Sequence, residues 1–96
     1  MLQYVIIAKD GEDDEALERR MTARPAHFAG AKILKQNNRF IAGGATLDAE
    51  GKMIGSVMIV QFETEAEFRH WYTNEPYIKG HVWKSIEVKP FRLAEV

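Results

Sequence analysis

Residues 53–62 read MIGSVMIVQF, and both faces of this stretch are apolar. In an extended chain successive side chains point to opposite sides. One side then carries Ile54, Ser56, Met58, Val60 and Phe62, and the other carries Met53, Gly55, Val57, Ile59 and Gln61. A strand with one face in water alternates apolar with polar residues, and this one does not. Upstream, DAEGK at 48–52 supplies a turn, and RFIAGGATL at 39–47 is a second strand weakened by Gly43-Gly44. The two strands form a hairpin. LQYVIIAK at 2–9 is a third strand with the same two-sided character, Tyr4 and Ile6 on one face, Val5 and Ile7 on the other. HVWKSIEVKPF at 81–91 is the last strand, and Pro90 places its far end on a sheet edge.

Between the strands the apolar period changes. EDDEALERRM, residues 12–21, opens with acids that complement a helix dipole. Thr22 and Pro25 then predict an interruption and a restarted helix running to about Gln36, stopped by Asn37-Asn38. Thr64-Glu65-Ala66-Glu67 is a capping box, followed by Phe68, Trp71 and Tyr72 at i, i+3 and i+4 of a second helix that Pro76 ends. The order β-α-β-β-α-β is that of a ferredoxin-like plait, an α+β fold with an antiparallel four-stranded sheet and both helices on one face. Two helices cover one face only. A second copy of the chain, packed sheet to sheet as a homodimer, is the economical cover for the other.

The 96 residues make one domain, 1–96. A formal net charge of −1 gives no electrostatic reason to expect nucleic acid, and no apolar run approaches a membrane span. The first residues lack a basic region and a cleavage site, so they read as a strand rather than a leader. With no cysteine, disulfides and thiolate chemistry are excluded, which is compatible with a cytoplasmic location. The three histidines, His27, His70 and His81, have no metal-ligand spacing, so no metal is expected, and nothing calls for another cofactor. Ser56 lacks the surroundings of a serine nucleophile.

His27 is the residue whose placement asks for a chemical reason. On a helix opened by Pro25 it shares a face with Ala31 and Leu34, with Gly30 beside them. The small residues leave room around the ring, and a helix N-terminus one turn away would favour its neutral, proton-accepting form. A satisfied semi-buried histidine is the plainer reading. In the plait, the segment NEPYIKGHVW at 74–83 can approach this helix, so Glu75 could orient His27 or could simply end the second helix. Spacing does not choose between them. Arg24, at the expected helix start, either helps to hold an anion or is solvated.

Together RPAH at 24–27, AGG at 42–44, GSVMIVQF at 55–62, Trp71, EPYIKG at 75–80 and VKPF at 88–91 resemble the YCII (YciI-like) family, along essentially the whole chain. The resemblance implies a dimeric α+β barrel, in which two plaits pack sheet to sheet. A member of the family is a dehydrochlorinase of chlorinated-aromatic breakdown, and the family pairs a helix histidine with the aspartate of an Asp-Pro motif. Carried over, the histidine falls on His27, and Glu75 stands where the aspartate is expected. The function so implied is a small cofactor-free enzyme. His27 would be its general acid/base, oriented by Glu75, with Arg24 and Ser56 or Tyr77 binding a small polar or aromatic substrate for elimination or isomerisation. The alternative is a non-catalytic dimeric module of the same fold that binds a small ligand or serves another enzyme.

Overall fold

A computed structural model describes residues Met1–Val96. The elements are β1 (Leu2–Asp10), α1 (Ala16–Gln36), β2 (Phe40–Leu47), β3 (Met53–Phe62), α2 (Glu65–Asn74), α3 (Pro76–Lys79) and β4 (Trp83–Phe91). The strands form one antiparallel sheet in the order β2-β3-β1-β4. The plait read from the sequence is therefore the fold. β4 is an edge strand, as Pro90 requires, because a proline has no N–H to offer a second neighbour.

Register fixes which face each side chain takes. Tyr4, Ile6 and Ala8 of β1 lie opposite Val60, Met58 and Ser56 of β3. These residues point towards the helices, and Ile6, Ala8, Ser56, Met58 and Val60 are buried. Leu34 from α1, Phe68 from α2 and Tyr77 from α3 close the core over them. On the opposite face Val5 lies beside Ile59 and Ile7 beside Val57, and Ile7 is 39% exposed. The double-sided apolar pattern thus resolves into one face under the helices and one open face.

Three local expectations need correction. Pro25 does not restart a helix: α1 is continuous through it. The missing N–H at position 25 orphans the Met21 carbonyl, but Met21, Thr22, Pro25 and Ala26 are all exposed, so water can take the place of that bond. Burial of Arg20, His27 and Leu34, spaced by seven on the opposite side, holds the helix together across the proline. The capping box is only half formed. Thr64 Oγ1 accepts from the Glu67 N–H at 3.1 Å, whereas the Glu67 carboxylate turns to Glu63 N–H at 3.3 Å and Arg39 Nε at 2.7 Å. Finally, Pro76 ends α2 and at once opens α3, a short helix absent from the sequence reading, and β4 begins at Trp83 instead of His81.

Two glycines separate what the fold requires from what it tolerates. A Cβ on Gly55 would lie 2.4 Å from the Ala8 carbonyl oxygen and 2.7 Å from Thr46 Oγ1, so β1 and β3 can approach only without it. Gly30, inside α1, has nothing within 4 Å of that position. Gly30→Ala is expected to stabilise the protein by about 0.5–1 kcal/mol, the ordinary helix preference. Gly55→Ala is expected to destabilise it by about 1–3 kcal/mol through overpacking against backbone. Urea denaturation of both variants checks the opposite signs.

Candidate active site

The site grows from one stripe of α1. Arg20, Arg24, His27 and Ala31 are separated by four, three and four residues, the spacing that stacks side chains on one helix face. That face looks onto β2 and β3, where α1 leaves β2 lightly covered. Between them lies a cavity of about 210 Å³. His27, Arg24, Ser56 and Tyr77 line it together with Phe40, Met58 and the Gly43-Gly44 segment. An apolar cavity of about 150 Å³ takes a benzene molecule, so this one has the size of a single substituted ring.

His27 is 8% exposed and Glu75 3% exposed. The Nδ1–H of His27 donates to Glu75 Oε1 at 2.5 Å. The same oxygen accepts the backbone N–H of Tyr77 at 3.0 Å, so the Glu75 side chain caps α3 while it holds the ring. Tyr77 lies flat on the imidazole, with centroids 3.8 Å apart and planes 9° from parallel. Nδ1 is thus occupied, and Nε2 is the ring nitrogen left to meet a ligand. Gly80 allows this arrangement, because a Cβ there would sit 2.9 Å from the Pro76 carbonyl oxygen and 3.4 Å from Ala23 on α1.

The structure brings together all five residues singled out from the sequence. Four line the cavity, and Glu75 stands behind His27, bordering a separate groove between α1 and α2. The electrostatic premise does not survive. His27 lies eleven positions beyond the first residue of α1, so no helix N-terminus acts on it, and Arg24 is likewise mid-helix. Arg24 instead places its guanidinium 4.4 Å from the Phe28 ring centroid at the cavity wall. His70 and His81 are exposed and outside this cavity.

A second set of polar residues went unnoticed in the sequence. Arg20 and Asp10 form a buried pair, with Nη1 on both carboxylate oxygens at 3.0 and 2.9 Å. Arg20 Nη2 donates to Ser56 Oγ at 2.9 Å, and Trp83 Nε1 donates to the same oxygen at 3.1 Å. Arg20 also lies over the Tyr77 ring, 4.9 Å from its centroid. The signal was present: seven residues before His27 is a charge on the buried face of α1, which demands a buried partner. The expected break at Pro25 concealed it. The Tyr77 hydroxyl is buried with no partner. Burial pushes its ionisation above the usual range, partly offset by Arg20 and Arg24, so the phenol stays protonated at physiological pH.

An antiparallel plait with a buried His–carboxylate pair at a ring-sized cavity defines a ferredoxin-like protein with a candidate acid/base site. Within that class the chain belongs to the YCII-related domain family, whose pattern matches residues 2–92. Protein YciI of Escherichia coli is 32% identical over 95 residues, 93% of this chain and 95% of its own length. Among solved structures, 5-chloro-2-hydroxyhydroquinone dehydrochlorinase (TftG) from Burkholderia phenoliruptrix, in complex with 2,5-dihydroxybenzoquinone, superposes with a TM-score of 0.81. It is 26% identical, and the match covers 96% of this chain and 95% of that one. A dimeric ferredoxin-like protein of unknown function from Jannaschia sp. shares the fold, with a TM-score of 0.60 at 13% identity over 97% of this chain and all of the other. No helix is long and apolar enough to cross a membrane.

Proposed function

We propose that the chain is a small enzyme whose His27–Glu75 pair moves protons on a hydroxylated aromatic ring. The observation that carries this reading is the 2.5 Å contact that fixes Nδ1 on a buried carboxylate while the ring lines a cavity of single-ring size. The likeness to a dehydrochlorinase holding a dihydroxybenzoquinone supports the substrate class. Nε2 takes the proton of a ring hydroxyl, and the electron pair moves through the ring to a carbon. That carbon recovers the proton from Nε2, which is an isomerisation to the keto tautomer. If the carbon bears chlorine, Nε2 then takes a second hydroxyl proton and the released electron pair expels chloride. The products are a quinone and chloride, with the second proton left on His27. Glu75 balances the imidazolium charge in both steps, and Arg24 stabilises the phenolate.

The functional unit in this reading is a homodimer packed sheet to sheet. Val5, Ile7, Val57 and Ile59 form the centre of the open face, with Glu87 and Lys89 on its β4 side and Lys9 near the end of β1. An apolar centre with a charged rim is the anatomy of an interface. Sedimentation should give twice the 11.0 kDa chain mass, and Val57→Glu should halve it. A wild-type chain that sediments singly contradicts the dimer.

The chemistry is tested anaerobically with 5-chloro-2-hydroxyhydroquinone, following chloride release, and with hydroxyhydroquinone in D2O, following deuterium uptake at ring carbons. His27→Gln retains a donor for Glu75 but no titrating base, and should slow both by roughly a hundred- to ten-thousandfold. Glu75→Gln should slow them less. If the wild-type chain accelerates neither process, or His27→Gln matches it, the enzyme reading fails and the binding module stands.

A further inference from the structure

We infer that Ser56 is an obligate hydrogen-bond donor to the ligand, forming a subsite that accepts an anionic or carbonyl oxygen and rejects a donor group such as an amine. A serine hydroxyl has one hydrogen and two acceptor positions. Both acceptor positions of Ser56 Oγ are filled by N–H groups that can only donate, Arg20 Nη2 at 2.9 Å and Trp83 Nε1 at 3.1 Å. Neither donor is free to turn away. Arg20 is clamped on both oxygens of Asp10, and Trp83 is a buried indole. The hydroxyl hydrogen must therefore point away from both, and no acceptor in the protein receives it. Ser56 lines the cavity, so a ligand there is what the hydrogen can meet.

The neighbours reinforce this polarity. The cation on Arg20 withdraws charge from Oγ and strengthens the remaining O–H as a donor. Tyr77 lines the same cavity, and its buried hydroxyl has no partner in the protein. Arg24 adds a second donor to the lining. At Ser56 Oγ no acceptor position is left free, and this suits an oxygen that gains negative charge during reaction. It leaves an amine in its place with N–H groups unsatisfied, and such mismatches are what a polar site discriminates against most strongly. Asp10 thus acts on the ligand through Arg20 and Ser56, as a positioning residue two contacts removed.

The inference rests on the cavity being the substrate site, and not on which reaction His27 performs. Binding of pentafluorophenol (ionised at about pH 8) and pentafluoroaniline, followed by 19F NMR, tests it with two probes of nearly equal shape. Ser56→Ala should weaken phenolate binding by about 10- to 100-fold, the effect of losing a hydrogen bond to a charged group. The same variant should leave the aniline affinity unchanged, which shows that its cavity is intact. Trp83→Phe frees one acceptor position on Ser56, so it should strengthen aniline binding severalfold while weakening the phenolate. These affinities are read without turnover, so a wild-type chain that binds the phenolate through Ser56 but accelerates neither reaction fails the acid/base reading alone. Wild-type phenolate affinity in Ser56→Ala overturns the inference. So do unchanged affinities in Trp83→Phe, or no phenolate binding by the wild-type chain at millimolar concentration.

Discussion

One carboxylate oxygen ties the site to the fold. Glu75 Oε1 accepts the Tyr77 backbone N–H, which starts α3, and the His27 Nδ1–H, which orients the ring. Starting α3 at that point lays Tyr77 flat on the imidazole and seats Gly80 against Ala23 of α1. Without the oxygen, a buried N–H and a buried imidazole would both lose their partner, at about 1–3 kcal/mol for each orphaned group. The carboxylate that holds His27 is therefore also the one that caps α3 and turns the chain towards β4. A glutamate performs the helix-capping role that shorter side chains usually take, and its extra methylene still lets one oxygen serve both donors.

A buried ion pair is a poor source of stability, because taking both charges out of water offsets most of their attraction. The Asp10–Arg20 pair is better understood by what it fixes. Arg20 joins the carboxylate at the end of β1 to the hydroxyl of β3, and Trp83 reaches that hydroxyl from β4. Three strands and α1 thus converge on Ser56 Oγ and leave it no freedom of orientation. His27 and Ser56 are constrained in the same way, each by polar contacts behind it that leave one group facing the cavity. Preorganisation of this kind favours charge that develops in a reaction over charge already present.

Much of this was legible in the strands. Period-two patterning on Tyr4–Ile7 and Met53–Phe62 carries the topology, since it decides what must be covered and on which side. The plait allowed the segment before the last strand to approach the first helix, but left open whether Glu75 met His27 or only ended the second helix. What escaped notice was decided by tertiary contacts. A proline inside a helix costs about 3 kcal/mol locally, so Pro25 read as a restart, yet burial of Arg20, His27 and Leu34 on one face overrides it. α3 was hidden because Pro76 both ends one helix and begins the next. Asp10, just past the strand read at 2–9, drew no notice because its partner, ten residues later, lies on a helix that the expected break had divided.

The proposed chemistry depends on which ring nitrogen of His27 is free to accept a proton. A long-range 1H–15N correlation spectrum of the ligand-free protein, with His27 assigned by comparison with His27→Gln, reads the tautomer directly. The structure predicts that the neutral ring carries its proton on Nδ1, donated to Glu75, with Nε2 bearing the lone pair. A neutral ring protonated on Nε2 would mean that Glu75 does not hold Nδ1–H, and the base at the centre of the proposed chemistry would be absent.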